Sequence, residues 1–212
     1  LVYVHKRTPR ANYTINVVMR DILHTECAIT TDAELFERHG GPRLCYADRP
    51  AGNADSHAEA LPYPYLKAAK LLFETNITEQ EPRYMEYEGQ PALFPTFGRY
   101  TELPFDPLAA IFYMLSRYEE YLPHKMDEHG RFPATESTAY EHGFLQKAVV
   151  ERWALMVKAV IMKHYPEADF GSRRYSFVQT VDIDAAYCYK HKGAFRTVMG
   201  ILRDGVQRHD PE

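Results

Sequence analysis

Two carboxylates two residues apart, Asp182 and Asp184, close the apolar run in TVDIDAAY near the C-terminus. In an extended strand alternate side chains share a face, so both acids would project together with Val178 and Thr180. Like charges held that close push one pKa up and leave the other group ionised, which suits a general base beside a metal ligand. The alternative is that these acids cap the turn after their strand. Open α/β sheets hold ligands beyond the carboxyl ends of their strands, which favours the chemical reading.

A second set of polar residues lies further upstream. SRYEEY places Arg117, Glu119 and Glu120 at the end of a helix. An Arg with an acid three residues on is usually a solvated ion pair, yet acids at a helix C-terminus oppose the dipole, so a local rule is broken there. The loop HKMDEHGRF adds His124, Asp127 and His129 as potential metal ligands and Arg131 as an anion clamp or a pin. Pairing of Arg131 with Glu119 or Glu120 is the preferred role. No GxSxG elbow, P-loop or GxGxxG is present, and HKRTPR enters the first helix without glycine.

The elements that position these residues follow from periodicity. Val2 to His5 reads as a strand, with Thr8 as N-cap and Pro9 at the first position of a helix running to about Leu23. Cys27 to Thr30 is a second strand. A helix capped by a Thr31/Glu34 box follows and ends at Gly40 or Gly41, and Arg43 to Ala47 is a third strand. A polar loop from Asp48 to Ala60 leads to a helix from about Pro64 to Thr75, and Pro82 to Tyr100 is a hairpin or irregular excursion. Asp106 and Pro107 start a helix that Pro123 ends, with Leu108, Ile111, Phe112, Leu115 and Leu122 inward. A loop from His124 to about Gly143 precedes a helix from Leu145 to about His164, built on Val149, Trp153, Met156, Val157 and Val160. Tyr175 to Val181 is a last strand and Gly193 to about Arg203 a last helix. The expected fold is α/β, a mostly parallel sheet with flanking helices in three layers.

Composition bounds the function. The chain has 212 residues, 45% hydrophobic and 25% charged, with net charge -4 and pI near 6.2, so a full core can form and a general nucleic-acid binder is disfavoured. Sixteen tyrosines against one tryptophan suit either cores or sugar stacking. Cys27, Cys45 and Cys188 have no CxxC spacing and read as reduced thiols. No apolar stretch is long enough to span a membrane and no leader is visible, so a cytoplasmic location is expected. The first residue is Leu, which suggests a trimmed N-terminus.

TVDID, with an apolar strand before it and AYCYKHKG and a helix after it, resembles the first motif of NodB-homology polysaccharide deacetylases, which more usually reads TFDD. ELPFDPLAAIFYMLSRYEEYLP, DEHGRF and GPRLCYADRP resemble the uncharacterised N-terminal domain that precedes such a deacetylase domain in Bacteroidetes proteins. The resemblance implies an accessory domain over residues 1–169 and the first strand and helix of a distorted (β/α) barrel over 170–212. It further implies removal of N- or O-acetyl groups from sugars with a divalent metal, usually zinc, with Asp182 as general base and Asp184 as metal ligand. Ile183, inserted between the acids, departs from the family pattern. The family's histidine pair would lie beyond Glu212, so no cofactor and no catalysis are expected of these 212 residues alone. Expected partners are a polysaccharide and the protein's own catalytic domain. The competing readings are a noncatalytic glycan-binding module and a scaffold or dimerisation domain.

Overall fold

A computed structural model describes residues 1–52, 60–172, 174–183 and 193–207, and places them in two units, Leu1–Ser172 and Arg173–Glu212. In the first unit the strands β1 (Val2–Val4), β2 (Ile29–Thr30), β3 (Leu44–Ala47) and β4 (Tyr65–Lys67) form one parallel sheet in the order β2-β1-β3-β4. Strand alternation divides the side chains between two cores. Val2, Val4, Leu44, Tyr46 and Leu66 face the large one, whereas Cys45, Ala47 and Tyr65 face a smaller one closed by Phe36 and Tyr63. Helices on both faces complete the three-layer α/β arrangement.

Helix α1 (Pro9–Asn16) starts as its sequence dictates. Thr8 Oγ1 accepts from the Ala11 amide, and Pro9 occupies a position where no N–H is needed. From Val17 to Ile22 the helix widens into π geometry, so that the Leu23 amide reaches back five residues to Val18 O at 2.9 Å. Helix α2 (Ala33–Arg38) covers the smaller core through Phe36. Its cap is Asp32, which accepts from the Glu34 and Leu35 amides, rather than the anticipated Thr31/Glu34 box, and it ends at an extended His39 before either glycine.

The anticipated helix over 64–75 is a correction. Tyr65–Lys67 is β4 and only Leu71–Phe73 coils, as one 3-10 turn. The apolar pattern was ambiguous between periods, and the open place beside β3 decided for the strand. Strands β5 (Met85–Tyr87) and β6 (Gln90–Ala92) make an antiparallel hairpin whose turn residues Glu88 and Gly89 have φ of 50° and 72°. Both values are positive, as the two-residue turn that matches strand twist requires. Beyond β4, Glu102 N donates to Tyr65 O at 2.9 Å, and Lys67 N donates to Thr101 Oγ1 at 3.1 Å.

Helix α3 (Pro107–Leu115) packs against α1 and against α5 (Val149–His164). It stops earlier than Pro123 because Arg117 turns left-handed, after which Tyr118–Tyr121 forms a 3-10 turn. Leu115 is consequently exposed, while Ala109, Ala110 and Tyr113 join Leu108 and Ile111 inside. The short helix α4 (Thr138–Glu141), capped by Ser137, interrupts the anticipated loop. On α5, Trp153 is fully buried and its Nε1 donates to Pro91 O at 2.7 Å, which fastens the hairpin to the helix layer.

In the second unit, α6 (Ala194–Gln207) forms where the sequence places a helix. The anticipated strand over 175–181 is absent from the described residues. Residues 174–183 have no regular structure and are exposed, with Tyr175 and Phe177 among them. A strand needs a hydrogen-bonding neighbour, and the described residues supply none. No helix among the described residues is long and apolar enough to cross a membrane.

Candidate functional site

The end of α3 and the loop after Pro123 enclose an open cleft of about 710 Å³. Arg117, Glu120, His124, Met126, Asp127, Arg131 and Phe132 line it, and a neighbouring hollow of about 250 Å³ shares Arg117, Glu120 and Phe132. Two of its walls are set by local chemistry. Arg117 has φ 50° and ψ 46°, a left-handed conformation that costs a side-chain-bearing residue on the order of 1 kcal/mol. That backbone turn swings its guanidinium over the 3-10 turn, where it pairs with the Glu120 carboxylate. On the opposite wall Asp127 accepts from the backbone amides of His129 (2.9 Å) and Arg131 (2.8 Å), and from Arg131 Nε at 3.2 Å. Gly130 has φ 73°, as the tight turn between them demands. The Arg131 amide, with the His129 amide and the guanidinium, outweighs burial and holds the Asp127 carboxyl below its ordinary range.

Arg131 thus pins its loop through Asp127, not through Glu119 or Glu120. Glu119 turns away, accepting from the Thr138 amide at 2.7 Å and from Thr138 Oγ1 at 2.5 Å, and so ties the 3-10 turn to the start of α4. Of Arg117, Glu119, Glu120 and Arg131, three face one cleft and Glu119 acts as a brace. The cleft carries two ion pairs whose charges cancel, and each leaves guanidinium donors free beside a carboxylate acceptor. The guanidinium-bearing side chains are 71% and 69% exposed. His124 Nδ1 lies 2.8 Å from Leu122 O, and its ring meets Phe132 edge to face at 4.9 Å. The arrangement can present paired donors and acceptors to a polar ligand over an apolar floor of Phe132 and Met126. Among the described residues, no group of three or more His, Cys, Asp or Glu side chains is arranged to hold a metal.

Asp182 belongs to the exposed segment 174–183, and Asp184 lies outside the described residues. Cys188 also lies outside them, while Cys27 and Cys45 are free thiols, the latter pushed up to about 12 by burial. Sequence reasoning missed the carboxyl edge of the sheet. There His5 Nδ1 approaches Asp48 Oδ1 at 3.7 Å across the gap between β1 and β3. The signal available was HKRTPR itself, a basic run directly after a strand.

Residues 1–166 match the family of unknown function DUF7033, and the chain belongs to that family. No curated protein and no solved structure matches it.

Proposed function

We propose that residues 1–169 are an accessory domain and that residues 170–212 open a metal-dependent polysaccharide deacetylase domain in a longer polypeptide. One observation supports this reading above the others. Phe195, Val198, Met199 and Leu202 recur on α6 at helical spacing and are 79%, 55%, 52% and 59% exposed. A stripe of that kind is the face by which a helix packs, as the helices of a (β/α) barrel do on their strands. Val181 and Ile183, apolar residues upstream of this helix, are also exposed.

By the resemblance, Asp182 serves as general base and Asp184 as a ligand of zinc. The described residues bring no further ligand to Asp182, so no catalytic step is assigned to them. The test is a chain extended through its reading frame past Glu212. It should take up one zinc and release acetate from acetylated oligosaccharides, and Asp182→Asn should stop release while zinc still binds. Hydrogen exchange should also show protection of α6 that the 212-residue chain lacks. An extended chain that binds no metal and leaves α6 unprotected overturns the reading.

A second reading concerns the accessory domain itself. The cleft between Arg117 and Arg131 supports noncatalytic glycan binding, since charge-balanced pairs with adjacent donors and acceptors match vicinal hydroxyls and Phe132 offers an apolar face. Titration of the 212-residue chain with chitin-derived and xylan-derived oligosaccharides tests it. Binding weakened by Arg131→Ala is the expected result, and a flat response across both series removes it.

A further inference from the structure

The sheet order places a reversal at its centre. The chain leaves β1 toward β2 and leaves β3 toward β4, so the carboxyl ends of β1 and β3 meet at the topological switch point, the place where open α/β sheets hold ligands. The side chains arriving there are predominantly cationic. His5, Lys6 and Arg7 follow β1, Asp48 and Arg49 follow β3, and β4 ends in Lys67 with Lys70 three residues on. On the far strand, Asp32 is occupied as the cap of α2.

Asp48 organises this edge. Its Oδ1 lies 3.7 Å from His5 Nδ1 and its Oδ2 lies 3.8 Å from Arg49 Nε. The His5 ring is also held against Phe73, with centroids 4.0 Å apart. The single carboxylate is thus shared between two partners, while Lys6 and Arg7 are exposed and have no ion pair or hydrogen bond among the described residues. On a chain of net charge -4, this is a local excess of positive charge at the sheet's topological switch point. Backbone amides contribute little to it. Pro9 has no N–H, and Thr8 takes up the amides of Ala11 and Asn12 through its side chain and carbonyl. Recognition would therefore rest on side-chain charge.

We propose that this carboxyl edge of the sheet binds a small phosphate-bearing ligand, with Lys6, Arg7 and Arg49 as its anion-binding groups and His5 as a donor positioned by Asp48 and Phe73. This site is independent of the deacetylase and glycan readings. Calorimetric titration of the 212-residue chain with inorganic phosphate and with ADP at low salt should give saturable binding that weakens steeply as salt rises. The double variant Lys6→Glu/Arg7→Glu changes only exposed residues and should bind about tenfold more weakly or worse. Arg83→Glu, a charge reversal beside the hairpin, should bind as the parent does. Tighter binding of ADP than of inorganic pyrophosphate, titrated alongside as its match in phosphate number, assigns a nucleoside component to the ligand, and equal binding assigns the phosphate groups alone. The proposal is overturned by no saturable response to any of these probes, by binding that Lys6→Glu/Arg7→Glu leaves unchanged, or by equal weakening in Arg83→Glu.

Discussion

Tyr46 Oη donates a 2.8 Å hydrogen bond to Oδ2 of Asp106, sixty positions along the chain, and both side chains are completely buried. The same carboxylate accepts from the Ala69 amide at 2.6 Å and, through Oδ1, from the Leu108 and Ala109 amides at 3.0 and 2.9 Å. One acid therefore joins the central strand β3, the segment after β4 and the first turn of α3. Asp106→Ala should destabilise the protein by about 3 kcal/mol or more, since it removes a helix cap and leaves a buried hydroxyl and a buried amide without a partner. Tyr46→Phe removes one donor and should cost about 1–2 kcal/mol. Urea denaturation of the three proteins checks the order.

The pH dependence of stability should carry the mark of Asp106. Burial raises its carboxyl to about 6 from 3.8, against the opposing pull of the Ala109 and Ala69 amides, the Tyr46 hydroxyl and the Leu108 amide. Because the folded value exceeds the unfolded one, the folded state holds the extra proton between these values. The contribution is full below pH 3.8 and is lost as pH rises through about 6, and it amounts to at most about 3 kcal/mol. Glu102 has the opposite sign. Burial raises its carboxyl, but hydrogen bonds from Lys163 (2.7 Å) and with His164 (2.6 Å) override this and hold it below 4.5, so its contribution fades as pH falls through the folded value. Between pH 4.5 and 6, the stability difference between the parent and Asp106→Asn should widen as acid is added. A constant difference across that window would exclude the assignment.

Trp153 should prove a sensitive core position. Trp153→Ala should cost about 3–5 kcal/mol through lost burial, and Trp153→Phe about 1–3 kcal/mol because the Pro91 carbonyl loses its donor. Circular dichroism during thermal unfolding serves for both variants, since this is the only tryptophan in the chain and its fluorescence disappears with it.

Arg117→Gly separates backbone strain from recognition. Glycine accepts the left-handed conformation without cost, while the surface pair with Glu120 contributes only a few tenths of a kcal/mol. The variant should match the parent or exceed it in stability by up to about 1 kcal/mol. Oligosaccharide binding in the cleft should weaken in the same protein, which a parallel titration would reveal.

Where one residue carries its own instruction, the sequence was readable. Thr8-Pro9 and Asp106-Pro107 mark helix starts, and the structure uses both. The stripe through Val149, Trp153 and Val157 likewise became α5. Misreadings arose where a distant partner decided. Tyr65–Lys67 became a strand because β3 stood open beside it, and α3 stopped short because Arg117 accepts a left-handed turn that no local residue type announces. The cleft was half legible. Arg117, Glu120 and Arg131 could be named in advance, but the pairing of Arg131 with Asp127 depends on a turn at Gly130 that spacing alone left open. The approach of His5 to Asp48 depends on strand order, which becomes visible only once the sheet is assembled.

The hydrogen bonds from Glu102 to Tyr65 and from Lys67 to Thr101 bear on how this protein behaves in a crowded solution. A parallel sheet of four strands has two open margins at which a foreign strand could add. On one side the margin is β2, two residues long and too short a template. On the other, the chain's own irregular segment already occupies backbone groups of β4. Both margins are thereby blunted, with Lys67 adding a charge at the end of β4, and self-association through strand addition at this sheet is disfavoured.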